Sequence, residues 1–215
     1  MVKVKICGIT NLADARRAIE SGADLLGFNF VATSPRYVTP AKARRMLKKL
    51  PGNISAVGVF ENESEEAMLE IARSVGLDQL QLHGDETPAM VARLARNGRR
   101  LRVIKSVIKA LRVKKTFRAA SLDAYKRADA ILLDAYSRKA RGGTGKTFDW
   151  QAARRAKGHG RIILAGGLTP ENVGEAIRIA RPYAVDVCSG VESRPGKKDA
   201  RRMRSLVKAA KGKAR

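Results

Sequence analysis

Two residues of this 215-residue chain combine reactive chemistry with an informative position. Cys7 closes the short apolar run "VKVKIC", and Asp134 closes "AILLDA". A thiol and a carboxyl facing one site can divide proton transfer between them, one as general base and the other as general acid. Each alone has a plainer reading. A cysteine is ordinarily a small buried hydrophobe, and a lone aspartate is ordinarily a helix cap or an ion-pair partner. Two further places suit an anion. Gly166-Gly167 closes "RIILAGG", and Ser189-Gly190 follows "AVDVC". Glycine lets a backbone approach an anion closely, and exposed N–H groups at such turns bind phosphate. Arg36 in "ATSPRYV" and His83 in "QLHGDE" also follow apolar runs. A lone imidazole there serves equally as a substrate contact or as a hydrogen-bonded structural residue. The sequence contains no His- or Cys-rich set with metal-ligand spacing.

The stretch "ARGGTGKTFDW", residues 140–150, looks at first like a nucleotide-binding loop. The motif G-x-x-x-x-G-K-[ST] needs its first glycine at 140, where the chain has Ala140, and must run straight from a strand into a helix. Here Asp149 is the N-cap expected for "WQAARRA", so Thr147 lies ahead of the helix. A phosphate-cradling P-loop is therefore rejected. What remains is a glycine-rich loop after the strand that ends in Asp134.

The elements that must position these residues can be read from the alternation along the chain. Strands are expected at 2–7, 25–30, 54–60, 79–83, 101–107, 130–135, 161–167 and 184–190. Amphipathic helices lie between them, with Asn11 capping the first, Pro40 and Pro88 opening the second and fourth, and a helix over 114–126. Eight short apolar strands alternating with helices predict a single (β/α)8 barrel over residues 1–215, with a disordered basic tail at 211–215. An open doubly wound sheet is the alternative, and the absence of G-x-G-x-x-G after the first strand counts against it. In such a barrel the chemistry sits at the C-terminal strand ends, where all the candidates above fall.

Composition narrows the function further. A hydrophobic content of 44% fits a globular core, and no apolar run is long enough for a transmembrane helix. The first residues lack the apolar core of a signal peptide. Two cysteines far apart make no disulfide framework, so a reducing cytoplasm is expected. The formal charge of +24 raises nucleic-acid binding. The basic residues, however, are spread over helix-like segments such as "AKARRMLKKL", with few aromatics, which is the pattern of solvated helix faces. Weak, unspecific affinity for polyanions is expected, with no specific nucleic acid and no membrane partner.

The stretches "KVKICGIT", "SPRYV", "VGVF", "QLHGDE", "LLDA", "GGTGKTFDW", "ILAGGLTPENV" and "VDVCSGVESRPGKKD" closely resemble the phosphoribosylanthranilate isomerase family from end to end. The resemblance implies an Amadori rearrangement in tryptophan biosynthesis, without metal or organic cofactor, on a small substrate carrying a phosphate and a carboxylate. It makes Cys7 the general base and Asp134 the general acid. It sets Arg36 against the anthranilate carboxylate, and Gly166, Gly167, Ser189 and Gly190 around the phosphate. The loop 142–145 becomes a flexible cover. The chain departs from the family's usual pattern at Val31-Ala32-Thr33, at Cys188 where serine is usual, and in an unusually basic stretch over 108–126. Strands one and eight are neighbours in a closed barrel, so Cys7 and Cys188 are expected at the same rim, where they either couple on oxidation or Cys188 simply replaces serine and donates or packs locally. A related sugar-phosphate isomerase of histidine biosynthesis uses two aspartates, and Cys7 discriminates against it. A basic barrel that binds RNA without catalysis is the reading from another class. A monomer or a homodimer is expected.

Overall fold

The computed structural model describes residues 1–113, 117–134 and 150–212. Eight parallel strands close into a barrel in chain order: β1 (Lys3–Ile6), β2 (Leu25–Asn29), β3 (Ser55–Phe60), β4 (Gln79–Leu82), β5 (Ser106–Arg112), β6 (Ala130–Asp134), β7 (Ile162–Ala165) and β8 (Ala184–Val187). Helices α1 (Leu12–Glu20), α2 (Pro40–Leu47), α3 (Glu65–Val75), α4 (Pro88–Arg100), α5 (Trp150–Ala156), α6 (Val173–Ala180) and α7 (Ala200–Lys211) lie between or after them. A small antiparallel hairpin, β9 (Glu192–Arg194) and β10 (Lys197–Lys198), leads from β8 to α7. The barrel expected from the alternation is thus the fold observed.

Side-chain parity explains how the barrel aims its residues. Successive side chains of a strand face opposite sides. Leu25, Val57, Ile108, Leu132, Ile163 and Ala184 fill the barrel interior, while Val4, Ile6, Leu26, Leu80, Leu133 and Leu164 pack outward beneath the helices. Burying each large apolar side chain is worth roughly 1.5–3 kcal/mol. A one-residue slip would exchange the two stripes, so parity is held by several such terms per strand. That same parity carries the polar residues further along each strand toward the barrel mouth.

The helix starts follow their sequence signals. Asn11 Oδ1 accepts from the Asp14 N–H at 2.9 Å, and Thr39 and Thr87 cap the helices that open with Pro40 and Pro88. The basic residues Lys42, Arg44, Arg45 and Lys48 are exposed beside the buried Ala43 and Met46 of α2, as a solvated face requires. Among the described residues no helix is long and apolar enough to cross a membrane.

Three expectations need correction. The fifth strand begins at Ser106, not Leu101. The apolar letters "LRVI" instead close α4, whose last turn ends with Val103 N–H on the Gly98 carbonyl and with Ile104 buried against Gly98. The helix placed over 114–126 is a 3-10 segment, Ala119–Tyr125, in its described part. The tail placed at 211–215 does not include Lys211. Lys211 is the last residue of α7 and its Nζ lies 2.8 Å from Asp24 Oδ2, while 213–215 lie outside the described residues.

Candidate active site

The inward stripes lead to one place. Lys5 and Cys7, Gln81 and His83, Leu132 and Asp134, and Asp186 and Cys188 are pairs two residues apart, each pointing into the barrel and then to its mouth. Cys7, Arg36, His83 and Asp134 line a single cavity of about 360 Å3, together with Gly166, Gly167, Ser189 and Gly190. Every site residue singled out in the sequence therefore meets in one cavity. The glycine loop 142–145 lies outside the described residues.

The two glycine turns form one end. Gly166 and Gly167 adopt φ of 83° and 65°, left-handed values that favour glycine. Asn172 braces this turn, its amide donating to the Gly167 carbonyl at 3.0 Å and its oxygen accepting from the Thr169 N–H at 2.8 Å. Across from it, Ser189 begins a short 3-10 turn, and a Cβ on Gly190 would run into the carbonyl oxygen of Leu168. The two loops thus touch only because residue 190 has no side chain. Helix α6 begins only at Val173, which leaves a turn between the glycines and the helix.

At the opposite side His83 stands between two partners. Its Nδ1 is 3.1 Å from the Gln81 amide nitrogen and its Nε2 is 3.3 Å from Asp134 Oδ2. An amide nitrogen donating to Nδ1 leaves the ring proton on Nε2, facing Asp134. His83 is therefore a partner of the candidate acid as well as a wall of the cavity. Gln81 is buried, and its side-chain oxygen has no hydrogen-bond partner among the described residues.

Beneath Cys7 lies a buried ion pair, Lys5 Nζ to Asp186 Oδ1 at 3.0 Å. Burial pushes the Asp186 carboxyl up to about 6, against the pull of Lys5. The Cys7 thiol is held well below its ordinary value. Hydrogen bonding with the Cys188 side chain is the largest cause, burial opposes, and the Lys5 and Lys198 ammonium groups add to the stabilisation of the anion. Cys188 moves well above its ordinary value in turn, because the Cys7 anion and burial both oppose a second charge. The thiolate is the reactive form of a cysteine, and these neighbours favour it at Cys7.

Arg36 is not free to turn. Its Nε meets Glu192 Oε1 at 2.9 Å and its Nη2 meets Oε2 at 2.7 Å. Glu192 also accepts from Lys198 Nζ at 2.9 Å. Burial raises the Glu192 carboxyl, but Arg36 and Lys198 outweigh it and hold it below the usual carboxylate range. Lys5, Gln81, Asp186, Glu192 and Lys198 escaped the reading of the sequence. For Lys5, Gln81 and Asp186 the signal was present: each sits two residues before a candidate, on the same inward stripe. Glu192 and Lys198 carry no such mark, since the hairpin folds them back only in three dimensions.

A cavity at the C-terminal ends of barrel strands, with a thiol and a carboxyl on different strands and paired glycine turns, is the arrangement of an enzyme of the (β/α)8 class. Comparison with known proteins specifies it. The model of the N-(5'-phosphoribosyl)anthranilate (PRA) isomerase family matches residues 4–209, and the chain belongs to that family. It is 51% identical over 214 residues to an N-(5'-phosphoribosyl)anthranilate isomerase from Geobacter sulfurreducens, covering 99% of this chain and 100% of the relative. It is 49% identical to that of Trichlorobacter lovleyi, covering 98% of each. The solved structure of the phosphoribosyl anthranilate isomerase from Thermotoga maritima superposes with a TM-score of 0.89 at 44% identity, over 99% of this chain and 100% of the other.

Proposed function

We propose that the chain is the isomerase of tryptophan biosynthesis that converts N-(5-phosphoribosyl)anthranilate to 1-(2-carboxyphenylamino)-1-deoxyribulose 5-phosphate. The observation that carries this reading is the meeting of Cys7 and Asp134 in one cavity whose far end is built from the Gly166-Gly167 and Ser189-Gly190 turns. A relative with a TM-score of 0.86 and 42% identity has been solved in complex with the reduced form of that product, which supports the same ligand class.

The residues divide the reaction as follows. Asp134 protonates the ribose ring oxygen, and the ring opens to a Schiff base. The Cys7 thiolate removes the proton from C2′, giving an enolamine that tautomerises to the ketone. Acid and base on separate strands let both reach one substrate without neutralising each other. The glycine turns receive the phosphate through backbone N–H groups. Arg36 presents its remaining guanidinium edge to the anthranilate carboxylate, its other edge being locked by Glu192. His83 steadies Asp134. All the chemistry is proton transfer by these side chains. The enzyme acts in the cytoplasm as a monomer or homodimer; the Thermotoga maritima isomerase is described as dimeric.

The direct test follows the fluorescence of freshly prepared phosphoribosylanthranilate and identifies the product by mass spectrometry. Enzyme-dependent decay to an isomer of unchanged mass is expected. Decay only to anthranilate and ribose 5-phosphate, at the rate seen without protein, overturns the proposal.

A further inference from the structure

Cys188 stands next to the candidate base at the end of the neighbouring strand. Strands β1 and β8 pair in register with Ile6 opposite Val187, and the Cys7 N–H donates to the Val187 carbonyl at 2.8 Å. Cys7 and Cys188 are the next pair along this ladder, and both line the cavity. Their sulfurs crowd the end of β1. A Cβ on Gly8 would come within 3.0 Å of Cys188 Sγ, and one on Gly27 within 2.8 Å of Cys7 Sγ and 3.0 Å of Lys5 Nζ.

The direction of the Cys188 proton follows from its other neighbours. Lys198 Nζ is 3.7 Å from Cys188 Sγ and can only donate, so it leaves the S–H proton unused. Glu192 Oε1 is 3.9 Å from that sulfur, but it already accepts from Arg36 Nε, from Lys198 Nζ and from the Gly196 N–H at 3.2 Å. One carboxylate oxygen offers about two lone pairs, so a fourth donor at that distance gains little. The Cys7 sulfur, next along the β1–β8 ladder and in the same cavity, is the other acceptor beside it. The charged groups around it nearly cancel. Lys5 from β1 is paired with Asp186 from β8, and Arg36 and Lys198 share Glu192 from β9. His83 lies across the cavity on the far side. Lys5 also donates to Cys7, so a Cys188 S–H is a second donor in direct contact with an anionic sulfur.

We propose that Cys188 is a positioning residue for Cys7, its S–H donating to the Cys7 sulfur so that the base stands ready as the thiolate. This rests on the reading of Cys7 as the general base. The two thiols share one proton, which makes the first ionisation easy and the second hard, as in other adjacent dithiols. A serine hydroxyl at 188 supplies the same kind of donor, so the proposal concerns the hydrogen bond and not the sulfur.

The test is the pH dependence of iodoacetamide alkylation, mapped by mass spectrometry on the parent enzyme, Cys188→Ser and Cys188→Ala. In the parent, Cys7 is expected to react at neutral pH while Cys188 stays unmodified. The midpoint for Cys7 should rise by about one pH unit or more in Cys188→Ala, the scale of a lost charged neighbour contact, and stay near the parent value in Cys188→Ser. The acid limb of kcat/KM should move with it. Equal midpoints in all three proteins, equal shifts in both variants, or Cys188 reacting as fast as Cys7 in the parent each overturn the proposal. The last outcome needs no variant to fold. Because alkylation reads ionisation and not turnover, a Cys7→Ser enzyme that keeps its activity would sink the base assignment separately.

Discussion

Arg36 and Glu192 form a two-point ion pair at the wall of the cavity, with contacts of 2.9 and 2.7 Å. Glu192 is almost fully buried, whereas Arg36 is partly open to the cavity. The pair therefore fixes where the guanidinium points before any substrate arrives. Holding a planar group in place lowers the ordering cost of binding.

Arg36→Ala is accordingly expected to act mainly on KM. Losing a charged hydrogen bond costs roughly 1.5–3 kcal/mol, or about a ten- to hundredfold rise. Arg36→Lys should restore little, since a point charge cannot keep both Glu192 contacts. Steady-state kinetics on phosphoribosylanthranilate and on an analogue without the carboxylate provide the check. An unchanged KM, or an equal loss on the analogue, contradicts the assignment.

Gly190→Ala should damage the phosphate end while leaving the acid and base in place. Its Cβ would enter the space of the Leu168 carbonyl, and backbone there cannot swing aside as a side chain can. Substrate KM and the inhibition constant of inorganic phosphate are expected to rise together. If phosphate inhibits the variant as well as the parent, these turns do not hold the phosphate.

A second buried ion pair supports the loop that follows His83. Lys109 Nζ meets Glu86 Oε2 at 2.7 Å and the Gly84 carbonyl at 2.6 Å, and Glu86 in turn accepts from the Gly84 and Asn62 N–H groups. Both side chains are buried. Lys109→Met leaves a carboxylate without its cation, a change that costs about 3–5 kcal/mol. A fall in Tm should therefore accompany any loss of activity. Burial raises the Glu86 carboxyl, but Lys109 and the backbone donors outweigh it, so its folded value lies below the ordinary one. The stability it contributes is fully present above the unfolded carboxylate value, about 4.3, and is lost as pH falls through the folded value. Chemical denaturation at pH 7 and near pH 3 should show a smaller drop in Glu86→Gln than in the parent. An equal drop removes Glu86 from this role.

The sequence made the barrel legible because eight apolar stripes recur with intervening amphipathic helices, and it made Cys7 and Asp134 legible because each ends such a stripe. The misplaced fifth strand has a local cause. "LRVI" is apolar enough for a strand, but Ile104 packs into the space left by the absent side chain of Gly98, a contact invisible to periodicity. The supporting shell was legible only in part. Lys5 reads as one more surface lysine in an alternating strand until its parity with Cys7 is noticed. Glu192 and Lys198 carry no periodic mark in the sequence. Their roles come from the fold returning their hairpin to the end of β1, where Arg36 and Cys188 already stand.

The measurement that bears most directly on the central assignment is kcat for Cys7→Ser and Asp134→Asn, with circular dichroism to show that the barrel persists. General acids and bases typically contribute about 10²–10⁴-fold. Each variant is expected to lose at least about a hundredfold in kcat, with a native spectrum and little change in phosphate inhibition. A folded variant retaining more than about a tenth of the parent kcat would contradict the role given to that residue.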